Sequence, residues 1–70
     1  MTPEEQFAAN LRNQRKAAGL SQEQLASRSG LHPTEISRLE RATREPRLGT
    51  IARLARALGI GADTLLEGIR

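Results

Sequence analysis

The sequence predicts an all-α fold in which five short helices pack as one unit, and three observations lead to this expectation. No segment alternates β-branched with polar residues as a half-buried strand would, and good helix formers such as Ala, Leu, Arg, Gln and Glu predominate. Apolar residues instead recur three and four positions apart. Each of these periodic segments is bounded by a capping residue, a proline or a glycine. Because there is no repeat, linker or low-complexity tract, residues 1–70 are expected to form a single domain.

Thr2 and Glu5 form a capping box at the start of the first helix, a pattern in which the two side chains satisfy each other's backbone N–H groups. Pro3 between them suits the first helical position, since its fixed φ is helical and its missing N–H would find no partner there. A glycine follows residue 18, so we expect this helix over about residues 3–18. Its apolar stripe is Phe7, Leu11 and Ala18.

Two short helices separated by a tight turn are expected within the segment SQEQLASRSGLHPTEISRLER, residues 21–41. Its Ser and Gln three residues apart form a second capping box, and Gly30 ends this helix near residue 29. Pro33 begins the next helix, about residues 33–41, although His32 before it is a poor capping residue. Neither helix would be stable alone, since isolated helices below ~12 residues are marginal in water. The apolar side chains expected to meet between them are Leu25, Leu31, Ile36 and Leu39, beside the small Ala26.

The last two helices follow the loop ATREPR, in which Pro46 cannot continue the preceding helix. Apolar residues at helical spacing predict a fourth helix that ends at Gly59. These residues are Leu48, Ile51, Leu54, Ala55 and Leu58. A short fifth helix is expected over about residues 62–67, where it would bring Leu65 and Leu66.

The composition argues against several classes of function. Without cysteine there is no disulfide and no thiolate metal site, and the single histidine has no second ligand candidate, so we expect no metal and no cofactor. A helical unit of this size can hardly build an enzyme's shaped pocket or an effector domain for small molecules, so no catalytic residue is expected. No apolar run approaches the ~18 residues of a membrane span, and the N-terminus lacks the features of a signal peptide. We therefore expect a cytoplasmic protein that does not bind membranes.

The positive charge is concentrated in the middle of the chain. Residues 28–56 contain seven arginines and three glutamates, a net charge of +4, whereas the rest contains four basic and five acidic groups, a net charge of −1. Such a distribution is typical of a phosphate-binding face, although a solvated arginine-rich face without a partner would look the same. With Phe7 as the one aromatic residue, binding of single strands by base stacking is not expected.

Residues 22–41, QEQLASRSGLHPTEISRLER, resemble the helix-turn-helix of the phage repressor and Cro family, also called the xenobiotic response element family. The matching residues are Leu25, Ala26, Gly30, Leu31, Ile36 and Leu39. The likeness extends to GLSQ before this segment and to EPRLGTIARLARALGI after it. The resemblance implies a compact, five-helix, lambda-repressor-like DNA-binding domain. It also implies a small transcriptional regulator of the Cro/C1 type, acting as a repressor. Such a protein binds double-stranded DNA sequence-specifically and is associated with the nucleoid when bound.

Two positions depart from the family pattern. Members often have glycine where Ala42 stands, so the exit from the third helix is expected to be less tightly turned. Pro33 replaces a polar side chain that could reach a base, which removes one candidate for hydrogen bonding.

The third helix has a polar face that could enter a major groove. Thr34, Ser37, Arg38 and Arg41 share this face, opposite Ile36, Leu39 and Glu40. Arg38 is the strongest candidate for base reading, because a guanidinium can bond bidentately to guanine O6 and N7. Thr34 lies near the end of the helix that meets base edges, and Pro33 and Ser37 could add shape and water-mediated contacts. An ordinary solvated face is the alternative.

Phosphate contacts are expected from four other residues. Ser21 and Gln22 open the second helix, where free N–H groups and the helix dipole attract anions. In the resembling family the residue matching Gln22 grips the DNA backbone, whereas the plainer interpretation is a capping glutamine. Arg41 and Arg44 are placed at and beyond the end of the third helix. Arg53 and Arg56 are expected to be exposed on the fourth helix.

Arg15 and Glu40 each lie on the inner stripe of their helix, where a charge needs a partner. The family resemblance implies an ion pair between these two positions. The alternative is two long side chains that reach water separately.

A single recognition helix reads few base pairs, so we expect a homodimer on half-sites about 34 Å apart. The apolar residues of the C-terminal segment are the candidate contact: Ile60, Leu65, Leu66 and Ile69. Alternatively, these apolar residues could pack into the core of the domain. Other roles that remain open are a restriction-modification controller, an antitoxin, a fragment of a longer regulator, or a module that binds proteins through the same fold.

Overall fold

Five α-helices and no strand make up the protein in the computed structural model, which describes residues 1–70. They are α1 (Pro3–Ala17), α2 (Gln22–Ser29), α3 (Pro33–Glu40), α4 (Leu48–Leu58) and α5 (Ala62–Leu65). The predicted all-α class and number of helices are confirmed, and the predicted helix ends agree within two residues. None of the five helices combines the length and the hydropathy that crossing a bilayer requires.

Both predicted capping boxes are present. The backbone N–H of Glu5 donates to Thr2 Oγ1 (3.1 Å), and that of Thr2 donates to Glu5 Oε1 (2.8 Å). Because the hydrogen bond from the Thr2 backbone favours the ionised form, it lowers the pKa of the Glu5 carboxyl. The same reciprocal pair joins Ser21 and Gln24 at the start of α2. These caps satisfy N–H groups that a helix otherwise leaves without partners.

One apolar core joins all five helices. The side chains with no exposed surface at its centre are Leu11, Leu25, Ile36, Leu54 and Leu65. Helix α3 packs against α1 and α2, and α4 packs against α2 and α5. The C-terminal segment is also tied to α1 by Asn10, whose Nδ2 donates to the carbonyl oxygens of Leu65 (2.9 Å) and Glu67 (2.8 Å). This packing holds α2 and α3, neither longer than 8 residues, in a fixed relative position.

Two residues expected in the core are exposed. Ala18 is the C-terminal cap of α1, where the chain leaves the helix, and Leu20 enters the core in its place. Leu48 is 82% exposed although it keeps the spacing of the apolar stripe of α4. It is the first residue of that helix, and helical side chains point toward the N-terminus, so its side chain extends beyond the first turn into solvent.

The exit from α3 is as tight as a glycine would make it, contrary to the prediction from Ala42. This alanine has φ +59°, in the left-handed region. Its N–H donates to the Leu39 carbonyl (3.2 Å), and the N–H of Thr43 donates to the Arg38 carbonyl (3.0 Å). The two bonds form a Schellman motif with alanine at the position glycine favours. A left-handed conformation costs an L-residue roughly 1–2 kcal/mol, so the bonds and packing around Ala42 hold it in a strained conformation.

Candidate nucleic-acid interface

Helix α3 presents a polar face to solvent and an apolar face to the core. Ile36 and Leu39 are at most 1% exposed, so the helix cannot rotate without opening the core. Of the residues predicted to read bases, Pro33, Thr34 and Arg38 are exposed and Ser37 is half-buried. None of these four is buried.

Two shallow grooves flank α3 and meet at Thr34. The first groove runs between α3 and the start of α4, and its polar lining includes His32, Thr34, Arg38, Arg44, Arg47 and Thr50. The second groove runs between α3 and the start of α2, and its lining includes Ser21, Gln22, Pro33, Thr34 and Ser37. The structure therefore brings seven of the eight predicted DNA contacts to one surface.

Arg41 is the exception among the predicted phosphate contacts. It lies in neither groove, but in a separate one beside α1 that Glu5 and Arg12 also line. Its Nε donates to the Ser37 carbonyl (3.3 Å), an interaction within its own helix. Arg41 sits one turn beyond Arg38, and this position has turned the side chain away from the groove that holds Arg44.

The first groove carries unpaired positive charge. Arg38, Arg44 and Arg47 line it together with Glu35 and Glu45, but none of these arginines comes within 4.0 Å of a carboxylate oxygen. Their guanidinium groups are therefore free to bind phosphate or base-edge acceptors. Arg53 and Arg56 are exposed on α4 as expected and lie outside both α3 grooves.

The start of α2 offers backbone donors to the second groove. Ser21 and Gln24 cap each other, which leaves the N–H groups of Gln22 and Glu23 without a partner in the chain. These two N–H groups lie at the positive end of the helix dipole, an arrangement that favours an anion.

Arg15, Glu40 and Gln22 form one network beneath this surface. Arg15 Nε and Nη2 donate to the two carboxylate oxygens of Glu40 (2.6 and 2.9 Å), in a side-on bidentate pair. Arg15 Nη1 also donates to the Leu20 carbonyl (2.9 Å). The hydrogen bonds to Glu40 raise the pKa of the Arg15 guanidinium, so this arginine stays charged throughout the accessible pH range.

Gln22 joins the network through its side chain. Its Nε2 donates to Glu40 Oε1 (3.1 Å), so this glutamine does not cap α2. Holding the amide against Glu40 fixes its direction beside the second groove. One Nε2 hydrogen and the amide oxygen make no other hydrogen bond in the protein.

The four C-terminal residues predicted to form the dimer contact differ in burial. Leu65 has no exposed surface and belongs to the core, so it cannot contact a partner. Ile60 and Ile69 are half-buried against the core, whereas Leu66 is 38% exposed. Leu66 and Ile69 line an apolar groove with Phe7 and Ile51, beside Pro46.

Three hydrogen-bonding residues of the first groove that could contact DNA were missed from the sequence: His32, Arg47 and Thr50. Arg47 and Thr50 belong to the start of α4, and only the packing of α4 brings them beside α3. His32 had a local signal, its place immediately before the first residue of α3.

A helix-turn-helix family model matches residues 11–65 of the chain. The chain belongs to the helix-turn-helix family. It is 46% identical over 66 residues to the control protein C.SmaI of Serratia marcescens, and the match covers 94% of the chain and 79% of that protein. It is 45% identical over 56 residues to the HTH-type transcriptional regulator y4dL of Sinorhizobium fredii, but it spans 29% of that longer relative.

Solved structures of the family share the fold. The restriction-modification controller protein C.AhdI of Aeromonas hydrophila superposes with a TM-score of 0.87 at 42% identity, over 89% of the chain and 94% of that protein. The hypothetical transcription factor NHTF of Neisseria gives a TM-score of 0.88 at 39% identity, over 91% and 74%. These matches confirm the predicted family, its five-helix fold and the class of DNA-binding transcriptional regulator.

Proposed function

We propose that this helix-turn-helix regulator binds an operator as a homodimer and reads each half-site with α3 in the major groove. The observation that carries the proposal is the junction of the two grooves at Thr34, where the residues proposed to read bases and those proposed to bind phosphates share one uncovered surface. The protein acts by occupying DNA and performs no catalysis.

Base reading is assigned to the middle of this surface. Arg38 contributes a guanidinium with no carboxylate oxygen within 4.0 Å, which suits a bidentate contact with guanine O6 and N7. Thr34 offers a methyl group and a hydroxyl to base edges, while Pro33 and Ser37 fit the groove wall by shape and through water.

Phosphate binding is assigned to the two sides. Gln22 and the free N–H groups at the start of α2 hold one strand, with Ser21 shaping that helix end. Arg44 holds the other strand, and Arg47 in the same groove supports it. Arg41, turned toward α1, would reach phosphates only at the rim of this surface.

The apolar groove next to this surface is the proposed dimer contact. Leu66 and Ile69 line it together with Phe7 and Ile51. The groove shares Glu45 and Pro46 with the first α3 groove, so a second copy seated there lies directly beside the DNA-binding surface. This arrangement suits a symmetric operator, because each copy then presents its α3 at a fixed distance from the other.

Within the family, control of restriction-modification genes is the favoured role. The restriction-modification controller C.AhdI and the control protein C.SmaI match the chain over 94% and 79% of their own length, whereas the chain covers 29% of y4dL. A module that only binds proteins is less well supported, because it would not need three unpaired arginines in one groove.

Selection of bound sites from a pool of random duplexes tests this proposal. The wild-type protein should enrich a palindromic motif with half-site centres about 34 Å apart. Arg38→Ala should lose discrimination at one position in each half-site, by about 1–3 kcal/mol. Arg56→Ala, the same substitution outside both grooves, is the matched control and should enrich the unchanged motif. Absence of any enriched motif with the wild-type protein would contradict sequence-specific binding.

A further inference from the structure

His32 has two nitrogen atoms with different surroundings. Its Nδ1 accepts a hydrogen bond from the backbone N–H of Thr34 (3.1 Å), so the imidazole serves as the N-terminal cap of α3. The residue is exposed and lines the first groove together with Arg38 and Arg44. The ring that caps α3 therefore also lies in the wall of the groove that holds these arginines.

The capping bond determines the tautomer of this imidazole. A nitrogen that accepts a hydrogen bond carries no hydrogen, so the neutral ring must carry its hydrogen on Nε2. Nε2 lies at the far edge of the ring from the backbone it caps, and no group of the protein accepts a hydrogen bond from it. The cap therefore leaves one oriented N–H donor, without a partner, in the wall of the groove.

From this geometry we infer that His32 is a further DNA contact, which donates Nε2–H to an acceptor atom of the bound duplex while Nδ1 caps α3. The inference rests on the proposed function, since it places DNA in the first groove. His32 then has two roles: it caps the N-terminus of α3 and it donates a hydrogen bond to the DNA. The acceptor is a phosphate oxygen or a base-edge atom, and comparing the affinity for different DNA sequences distinguishes the two.

Asparagine separates the two roles of this residue. Asn is among the best N-capping residues, so His32→Asn keeps the acceptor for the Thr34 N–H but removes the donor at the far edge of the ring. We expect its melting temperature to equal or exceed that of the wild type, and its Kd for the selected operator to rise about three- to tenfold, the effect of one lost hydrogen bond. His32→Ala, which loses both groups, should bind DNA as weakly and also melt at a lower temperature.

The outcomes for His32 and for the proposed function can be told apart. If His32→Asn binds the operator as tightly as the wild type while Arg38→Ala does not, the inference is wrong and the proposed function stands. If the wild type itself selects no motif, the proposed function has failed. A uniform loss of affinity on all sequences assigns the contact to phosphate, and a change of preference at one position assigns it to a base.

Nitrogen NMR gives an independent readout, because His32 is the only histidine and its ring signals assign themselves. The free protein should show the hydrogen on Nε2, and this signal should shift when operator DNA is added. An Nε2 signal that does not change at saturating DNA would overturn the inference.

Discussion

Replacing Glu40 by alanine should destabilise the protein more than any other single change at its polar residues. The carboxylate is 4% exposed and accepts three hydrogen bonds, two from Arg15 and one from Gln22. Without it, the Arg15 guanidinium, 12% exposed, keeps only its bond to the Leu20 carbonyl. The variant therefore leaves a positive charge almost buried and unpaired.

The size of this effect can be worked out from the burial of the pair. Removing one partner of a buried ion pair costs about 3–5 kcal/mol, and the remaining bond from Arg15 to Leu20 places this case near the lower end, at about 3 kcal/mol. Since 1 kcal/mol shifts the melting temperature of so small a domain by roughly 4–8 °C, a decrease of about 12–24 °C is expected. The total stability of 70 residues is only about 3–10 kcal/mol, so part of the sample could unfold at 25 °C.

Circular dichroism at 222 nm is the suitable assay, since the chain has no Trp or Tyr to report by fluorescence. The matched control is the double variant Arg15→Met with Glu40→Leu, which removes both charges and keeps the volume filled. It should be far more stable than Glu40→Ala, because no unpaired charge remains. A melting temperature for Glu40→Ala within about 2 °C of the wild type would refute the reasoning, and so would a double variant as unstable as the single one.

Three further results are expected. Binding to random DNA should weaken as salt rises, and the logarithm of the binding constant should fall against the logarithm of the salt concentration with a slope of about −0.9 per phosphate neutralised. Arg44→Ala should flatten this slope, while Arg38→Ala should leave it nearly unchanged. Equal effects of both variants on the slope would contradict their separate roles. Ala42→Gly should raise the free energy of unfolding by about 1 kcal/mol in a urea titration, because glycine relieves the strain at φ +59°. Leu66→Asp should keep the circular dichroism spectrum of the folded protein but sediment as a monomer. Its affinity for a half-site should equal its affinity for a full operator. A dimer that survives this substitution would place the contact elsewhere.

The helix ends could be predicted because they depend on interactions within four residues of the chain. The capping boxes at Thr2 and Ser21 and the positive φ of Gly30 follow from local hydrogen bonds and local sterics. The prediction for Ala42 was wrong because the residue type alone suggests a looser turn. The packing of α3 and the two bonds of the Schellman motif outweigh that intrinsic preference.

The candidate site could be predicted in part. Thr34 and Arg38 share a helical face with Ser37, so their common exposure follows from the helical period. The same period placed Arg41 on that face, but near the end of α3 its side chain lines a separate groove beside α1. Arg47 could not be connected with Arg38 from the sequence, since the loop that returns the chain to α3 has no periodicity to indicate its path.

Periodicity, caps and the pattern of Gln22 to Arg41 were enough to predict five helices and their family, because both depend on neighbours along the chain. Folding in three dimensions was needed to separate buried Leu65 from exposed Leu66, to turn Leu48 into solvent, and to connect Gln22 with the ion pair. Adjacent leucines of a short helix cannot be distinguished from the sequence, because the packing of the other helices decides which one is buried and which one is exposed to water.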